Sequence, residues 1–294
     1  MNPIHLDNWD DFEVACMESC VTDTKAYYES YLTFKKLIDK LPQKELVRRG
    51  WMSSKDDLFS MTPLLQNIHL HRNNALFRKS DTSDIALCAA WESRVSTIAK
   101  IIVASQYIDK FQGVDKDYLR DIAKLSIEVS SITSLPAVLQ KRGIILIYER
   151  ALPGMKLDGV VFKIESGHPV IGISFRFSRL DNFWFTLMHE LAHINLHMEF
   201  IDDPIFDDLE CDSKETIELQ ANRLAKDSFV KRDLWRNCAA KYDRSDKAVI
   251  DFSKAIGIHP AIVAGMLQKE LNEFQMFRKI VDKVDVRGEV FGDE

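Results

Sequence analysis

The sequence of 294 residues has little of what marks several common protein classes. Glycine occurs 11 times and proline 8 times, too rarely for a collagen-like or low-complexity chain. No uninterrupted apolar run reaches the roughly 18 residues that a membrane-crossing helix needs. The opening residues, MNPIHLDNWDDFEVAC, are acidic where a secretory signal is basic and then apolar. Five cysteines (Cys16, Cys20, Cys88, Cys211, Cys238) are odd in number and form no CxxC pair. That pattern argues against a disulfide framework and against a cysteine-built zinc site. Basic charge is not in excess either, since the formal net charge is −6. Broad binding to nucleic-acid phosphates is therefore not expected. These absences together predict a cytoplasmic protein with reduced thiols and no membrane span.

What is present is a chain that can bury a core, being 46% hydrophobic and 29% charged. At roughly 100–200 residues per domain, one large domain or two modest ones fit its length. The first half reads as helical, with segments at about 8–40, 43–49, 54–70, 83–110, 115–129 and 135–142. In the fourth, Ile85, Leu87, Cys88, Trp91, Val95, Ile98, Ile102 and Val103 recur at helical spacing. The pattern changes at Gly143. GIILIYER, LDGVVFKI and PVIGISF read as three strands, part of the sheet being antiparallel because Glu165-Ser166-Gly167-His168 makes so short a connection. Helices follow at about 183–198, 213–229, 247–256 and 260–272. The fold class expected is α+β: mostly helical, with a small three-stranded mixed or antiparallel sheet. The division expected is a helical docking or regulatory region over 1–142 and a second domain over 143–294.

One segment outweighs the rest: DNFWFTLMHELAHINLH, with His189-Glu190-Leu191-Ala192-His193 inside it. Histidines four apart lie one helical turn apart, so both imidazoles can reach one metal ion. Glu190 falls on the flank, where a carboxylate can take a proton from an attacking water and hand it to a leaving amine. Phe183, Phe185, Leu187, Met188, Leu191, Ala192, Ile194 and Leu196 surround these polar groups with apolar side chains. Desolvated polar groups need partners, which favours a metal site over two unrelated surface histidines.

A third ligand is expected from the helix in KETIELQANRLAKDSFV, which offers Glu218 first and Glu215 second. Ala221 is small enough to let two helices approach, and Asn222 lies one turn from Glu218, where it can support a ligating histidine. Cys211 falls outside the expected helix. Two histidines and a glutamate leave a fourth position for water, the catalytic arrangement for zinc. His197 continues the helix face as a supporting or rim group. His5, His69, His71, His168 and His259 show no ligand spacing. Tyr148, Arg179 and His197 are the candidates for stabilising an oxyanion, although Arg179 is better placed to pair with Asp181. Two short helices around Gly257 imitate a helix-turn-helix, but the second is apolar (Ile262, Val263, Met266, Leu267) and reads as core.

HELAH followed by ExxAN resembles the zinc motif of the ImmA/IrrE metallopeptidases. The resemblance implies His189 and His193 as zinc ligands, Glu218 as the third ligand and Glu190 as catalytic acid/base, on a minimal zincin-like core of the gluzincin kind. FRFSRLDNFWFTLMHELAHINLH, LPQKELVRRGW, LPGMKLDGVVF and GIHPAIVAGMLQKE also resemble the peptidase-like half of HigA-type antitoxin regulators. Those regulators begin with a helix-turn-helix domain, and the forty residues before LPQKELVRRGW do not show that pattern. The resemblance thus implies a zinc endopeptidase acting on a protein partner, such as a repressor or antitoxin in a stress-response or phage-defence system, without direct DNA binding. The second reading is a non-catalytic interaction protein of a toxin–antitoxin-like module that keeps the zinc fold.

Overall fold

The computed structural model describes residues 32, 35, 38–53, 82–199 and 212–292. The helices expected at 8–40 (all but its last few residues) and 54–70, with Cys16, Cys20, Cys211, His5, His69 and His71, lie outside those residues. Two compact units are formed, Met1–Ile98 with Ala151–Lys156, and Ala99–Arg150 with Leu157–Glu294.

In the first unit, helix α1 (Gln43–Arg48) is short and acidic at its start. Glu45 receives Arg48 and Arg49, and Arg49 also donates to the Ala151 carbonyl at 2.8 Å. Trp51 lies under the guanidinium groups of Arg49 and Arg94. Helix α2 (Thr82–Ser105) begins in this unit and buries Trp91 and Val95 completely. It stops five residues short of the expected Lys110.

A tertiary contact in the second unit explains that early stop. Gly143 adopts φ +76°, and a Cβ there would meet the Asp109 carbonyl and the Phe111 backbone at 2.6 Å. The chain at 109–111 is thus laid against Gly143 as non-helical backbone, with Gln112 N–H donating to the Arg142 carbonyl. Helix α3 (Lys116–Lys124) follows, capped by the Asp115 carboxylate on the Tyr118 N–H, and a 3₁₀ turn covers Leu125–Ile127. Helix α4 (Ser131–Gln140) carries Pro136 in its interior.

The three strands are β1 (Ile145–Tyr148), β2 (Gly159–Lys163) and β3 (Pro169–Ile173), in the order β1-β3-β2. β1 runs parallel to β3 and β2 antiparallel to it, giving a mixed sheet as expected. Leu146, Ile171 and Val161 align across the strands and join the main core on one face. Ile145, Ile147, Val160, Phe162 and Val170 are buried on the other, which is why all three strands read as continuous apolar runs.

The sheet packs on helix α5 (Leu180–His197), which packs in turn most extensively on helix α6 (Asp212–Phe229). Beyond these come α7 (Arg232–Arg236), α8 (Ala240–Asp243), α9 (Asp246–Ile256), α10 (Pro260–Leu271), α11 (Arg278–Val281) and α12 (Val286–Phe291). α9 and α10 meet at 118°. The second of them is buried at every residue from Ala261 to Gln268, so the second helix of the pair resembling a helix-turn-helix is a core element, as its apolar sequence implies. Gly265 on α10 leaves room for Asp181, whose carboxylate a Cβ there would overlap. Arg179 donates twice to Asp181 and once to Gln268 Oε1 at 2.7 Å, tying the start of α5 to α10. Among the described residues no single helix is long and apolar enough to cross a membrane.

Candidate metal centre

α5 is a helix with two demands on it. Leu180, Phe183, Trp184, Leu187, Met188, Leu191 and Ala192 bury its apolar face, and His193, Glu190 and His197 are buried with them. Its neighbour α6 presents a fully buried Ala221 to the core, and this small residue permits the close approach expected of it.

That approach brings three donor atoms together. Nε2 of His193 lies 2.9 Å from Nε2 of His189 and 3.3 Å from Glu218 Oε1. His189 Nε2 lies 3.0 Å from Glu218 Oε2, close by distance but without the alignment of a hydrogen bond, so this buried oxygen has no proper donor. A tetrahedral ion with ligand bonds of about 2.0–2.1 Å places its ligand atoms roughly 3.3 Å apart. The three side chains therefore suit a single ion closely, and an ion would satisfy the unserved carboxylate oxygen. Together they form a group that can hold a metal, all ligand atoms lying within 4.8 Å of one another.

Electrostatics agree with this reading. Burial pulls the pKa of His193 down, only partly opposed by the Glu218 carboxylate, and so keeps the ring neutral as a metal ligand must be. Burial would raise the Glu218 carboxyl, but the two imidazoles beside it outweigh that effect and bring it down to about 2. The Glu215 side chain lies outside those described.

Glu190 is buried at 6% exposure beneath the first residue of β2. A Cβ on Gly159 would come within 2.6 Å of both Glu190 Oε1 and Thr186 Cγ2. Any side chain there would force Glu190, Thr186 or the strand to shift. Gly159 is not among the residues expected at the site, although a glycine at the head of an apolar strand is the signal of close backbone approach.

The proposed oxyanion donors are committed elsewhere. Tyr148 donates to the Ile132 carbonyl, Arg179 to Asp181 and Gln268, and His197 lies between His193 and Gln220. Asn222, expected behind a ligand, is exposed, and Gln220 contacts His197 instead. His168 links Ser166 to the Asp109 carbonyl, and His259 accepts the Ala261 N–H as the cap of α10, so both have structural roles. Cys238 is buried and Cys88 is half-buried.

Fold and site together define a mostly helical α+β domain in which a small sheet covers a helix pair bearing a His-His-Glu cluster. Residues 140–259 match the peptidase M78 family, described as the IrrE N-terminal-like domain. The chain thus carries an ImmA/IrrE-type metallopeptidase-like domain, and the matched span takes in the sheet and both helices of the cluster. No curated protein matches the chain.

Proposed function

We propose that this protein is a zinc-dependent endopeptidase that cuts a specific protein partner, a repressor or antitoxin being the class its sequence resemblance implies. The observation that carries the proposal is the convergence of His189, His193 and Glu218 beside the buried Glu190. Two neutral imidazoles and one carboxylate are a ligand set that suits zinc and leaves a coordination position open. Zinc supplies Lewis acidity, polarising a scissile carbonyl and making water acidic enough to attack near neutral pH.

The remaining chemistry belongs to the chain. Glu190 takes one proton from the attacking water as the C–O bond forms, and returns it to the amide nitrogen as the C–N bond breaks. Its burial under Gly159 shields it from bulk water and fixes its direction. β2 is an outer strand of the sheet, with β3 on one side. A substrate segment added along its other edge would be held extended, with its backbone passing the Glu190 end of the strand.

The test is Glu190→Gln in zinc-loaded protein incubated with its partner. The expected result is full zinc content with cleavage lost. Cleavage at the parental rate would overturn the role of Glu190, and a parent that takes up no zinc would overturn the metal site.

A further inference from the structure

His193 faces the candidate metal centre with one ring nitrogen and a second histidine with the other. Its Nδ1 lies 3.2 Å from Nδ1 of His197, and both rings are buried. His197 Nε2 in turn lies 3.1 Å from Gln220 Oε1. Neither contact forms unless one partner brings a proton and the other a lone pair.

The chain of contacts allows two proton arrangements, and they have opposite consequences. In one, the Gln220 carbonyl accepts from His197 Nε2–H. His197 then has its lone pair on Nδ1 and accepts from His193 Nδ1–H, which leaves Nε2 of His193 bare toward Glu218 and His189. In the other, the Gln220 amide is turned and donates to His197. The proton of His197 then sits on Nδ1, His193 must accept there, and its own proton blocks Nε2. Only the first arrangement leaves a lone pair on His193 Nε2 facing His189 and Glu218.

We propose that Gln220 and His197 form a relay that sets the tautomer of His193 and so holds its Nε2 open for the metal. The proposal rests on reading His189, His193 and Glu218 as metal ligands. Both relay groups are positioning residues, since each acts on the ion through the His193 ring. The arrangement also explains the next turn of α5: His197 follows His193 by four residues and places a ring nitrogen against its Nδ1. Gln220 comes from α6, the helix that bears Glu218, so one helix contact serves both ends of the His193 ring.

The proposal can be read without a metal present. In the full-length ¹⁵N-labelled protein stripped with a chelator, long-range ¹H–¹⁵N spectra at neutral pH should show His193 as the Nδ1–H tautomer and His197 as the Nε2–H tautomer. Zinc competition against a chromophoric chelator gives the second measurement. His197→Phe should weaken zinc binding roughly 10- to 100-fold, the usual effect of losing a group behind a ligand. Gln220→Leu should weaken it less, about 3- to 10-fold, because Gln220 is exposed and water can replace its carbonyl in part. Gln220→Glu keeps an acceptor and should restore near-parental affinity. A His193 proton on Nε2 in the metal-free protein, or parental affinity in both His197→Phe and Gln220→Leu, would overturn the relay. A parent that binds no zinc would defeat the metal reading instead, while its tautomers would still decide the relay.

Discussion

The Tyr148 hydroxyl donates to the Ile132 carbonyl at 2.8 Å, and that carbonyl is the one Pro136 leaves unserved. A residue at position 136 of an α-helix would normally donate its N–H to the carbonyl four residues back, but proline has none. The sheet therefore completes a hydrogen bond that helix α4 lacks. Burial also pushes the Tyr148 phenol well above its ordinary pKa, so the group stays protonated and able to donate. Tyr148→Phe should lower stability by about 1–3 kcal/mol, the cost of a buried acceptor left unpaired. Urea unfolding measures this, with turnover of the folded variant unchanged; a drop in kcat would reinstate Tyr148 as a catalytic group.

Gly159→Ala tests the covering of Glu190. The new Cβ would crowd Glu190 Oε1 and Thr186 Cγ2 together, so the carboxylate must move or β2 must lift. Peptide cleavage should fall roughly 10- to 100-fold, as small misplacements of catalytic groups do, while zinc stoichiometry stays at the parental value. Unchanged cleavage would show that Glu190 tolerates the intrusion.

Metal removal should cost stability. Zinc at about 100 times its dissociation constant stabilises a folded site by about 2.7 kcal/mol, provided the unfolded chain does not bind it. A chelator should lower the unfolding temperature of the parent and leave Glu218→Gln nearly unaffected. An equal shift in both would remove Glu218 from the ligand set.

Acid stability should depend on Glu270. Burial raises its carboxyl, but Lys241, Trp235 and Lys226 donate to it and bring it down to about 2 from an ordinary 4.5. The folded pKa is below the unfolded one, so the stabilisation is present above about pH 4.5 and is lost as pH falls toward 2. Urea midpoints at pH 7 and pH 3 should fall further in the parent than in Glu270→Gln. Equal losses would show the cluster to be energetically silent.

The three strands and the helices around the motif were legible because apolar periodicity and glycine punctuation agreed there with the tertiary structure. The expected helix at 260–272 matches α10 within a residue, helped by Pro260 at its start and the left-handed Asn272 at its end. Elsewhere tertiary contacts prevailed. Nothing local ends α2 at Ser105, since the stop depends on backbone laid against Gly143. Pro136 argues for a boundary in α4, yet the distant Tyr148 hydroxyl makes the helix tolerable. The short helices α7, α8, α11 and α12 are too brief to leave a periodic signal. Within the centre, spacing on one helix was readable and so was Glu218. Gln220 was not, because its importance arises from how two helices face each other.

His189 and His193 ride on α5 while Glu218 rides on α6. A single mechanical coordinate, the gap between two helix axes, therefore sets how closely the three donor atoms approach one another. Prying the pair apart would scatter the His-His-Glu group while leaving Glu190 on the same helix as the two histidines, so a shift of α6 alone would dismantle the cluster.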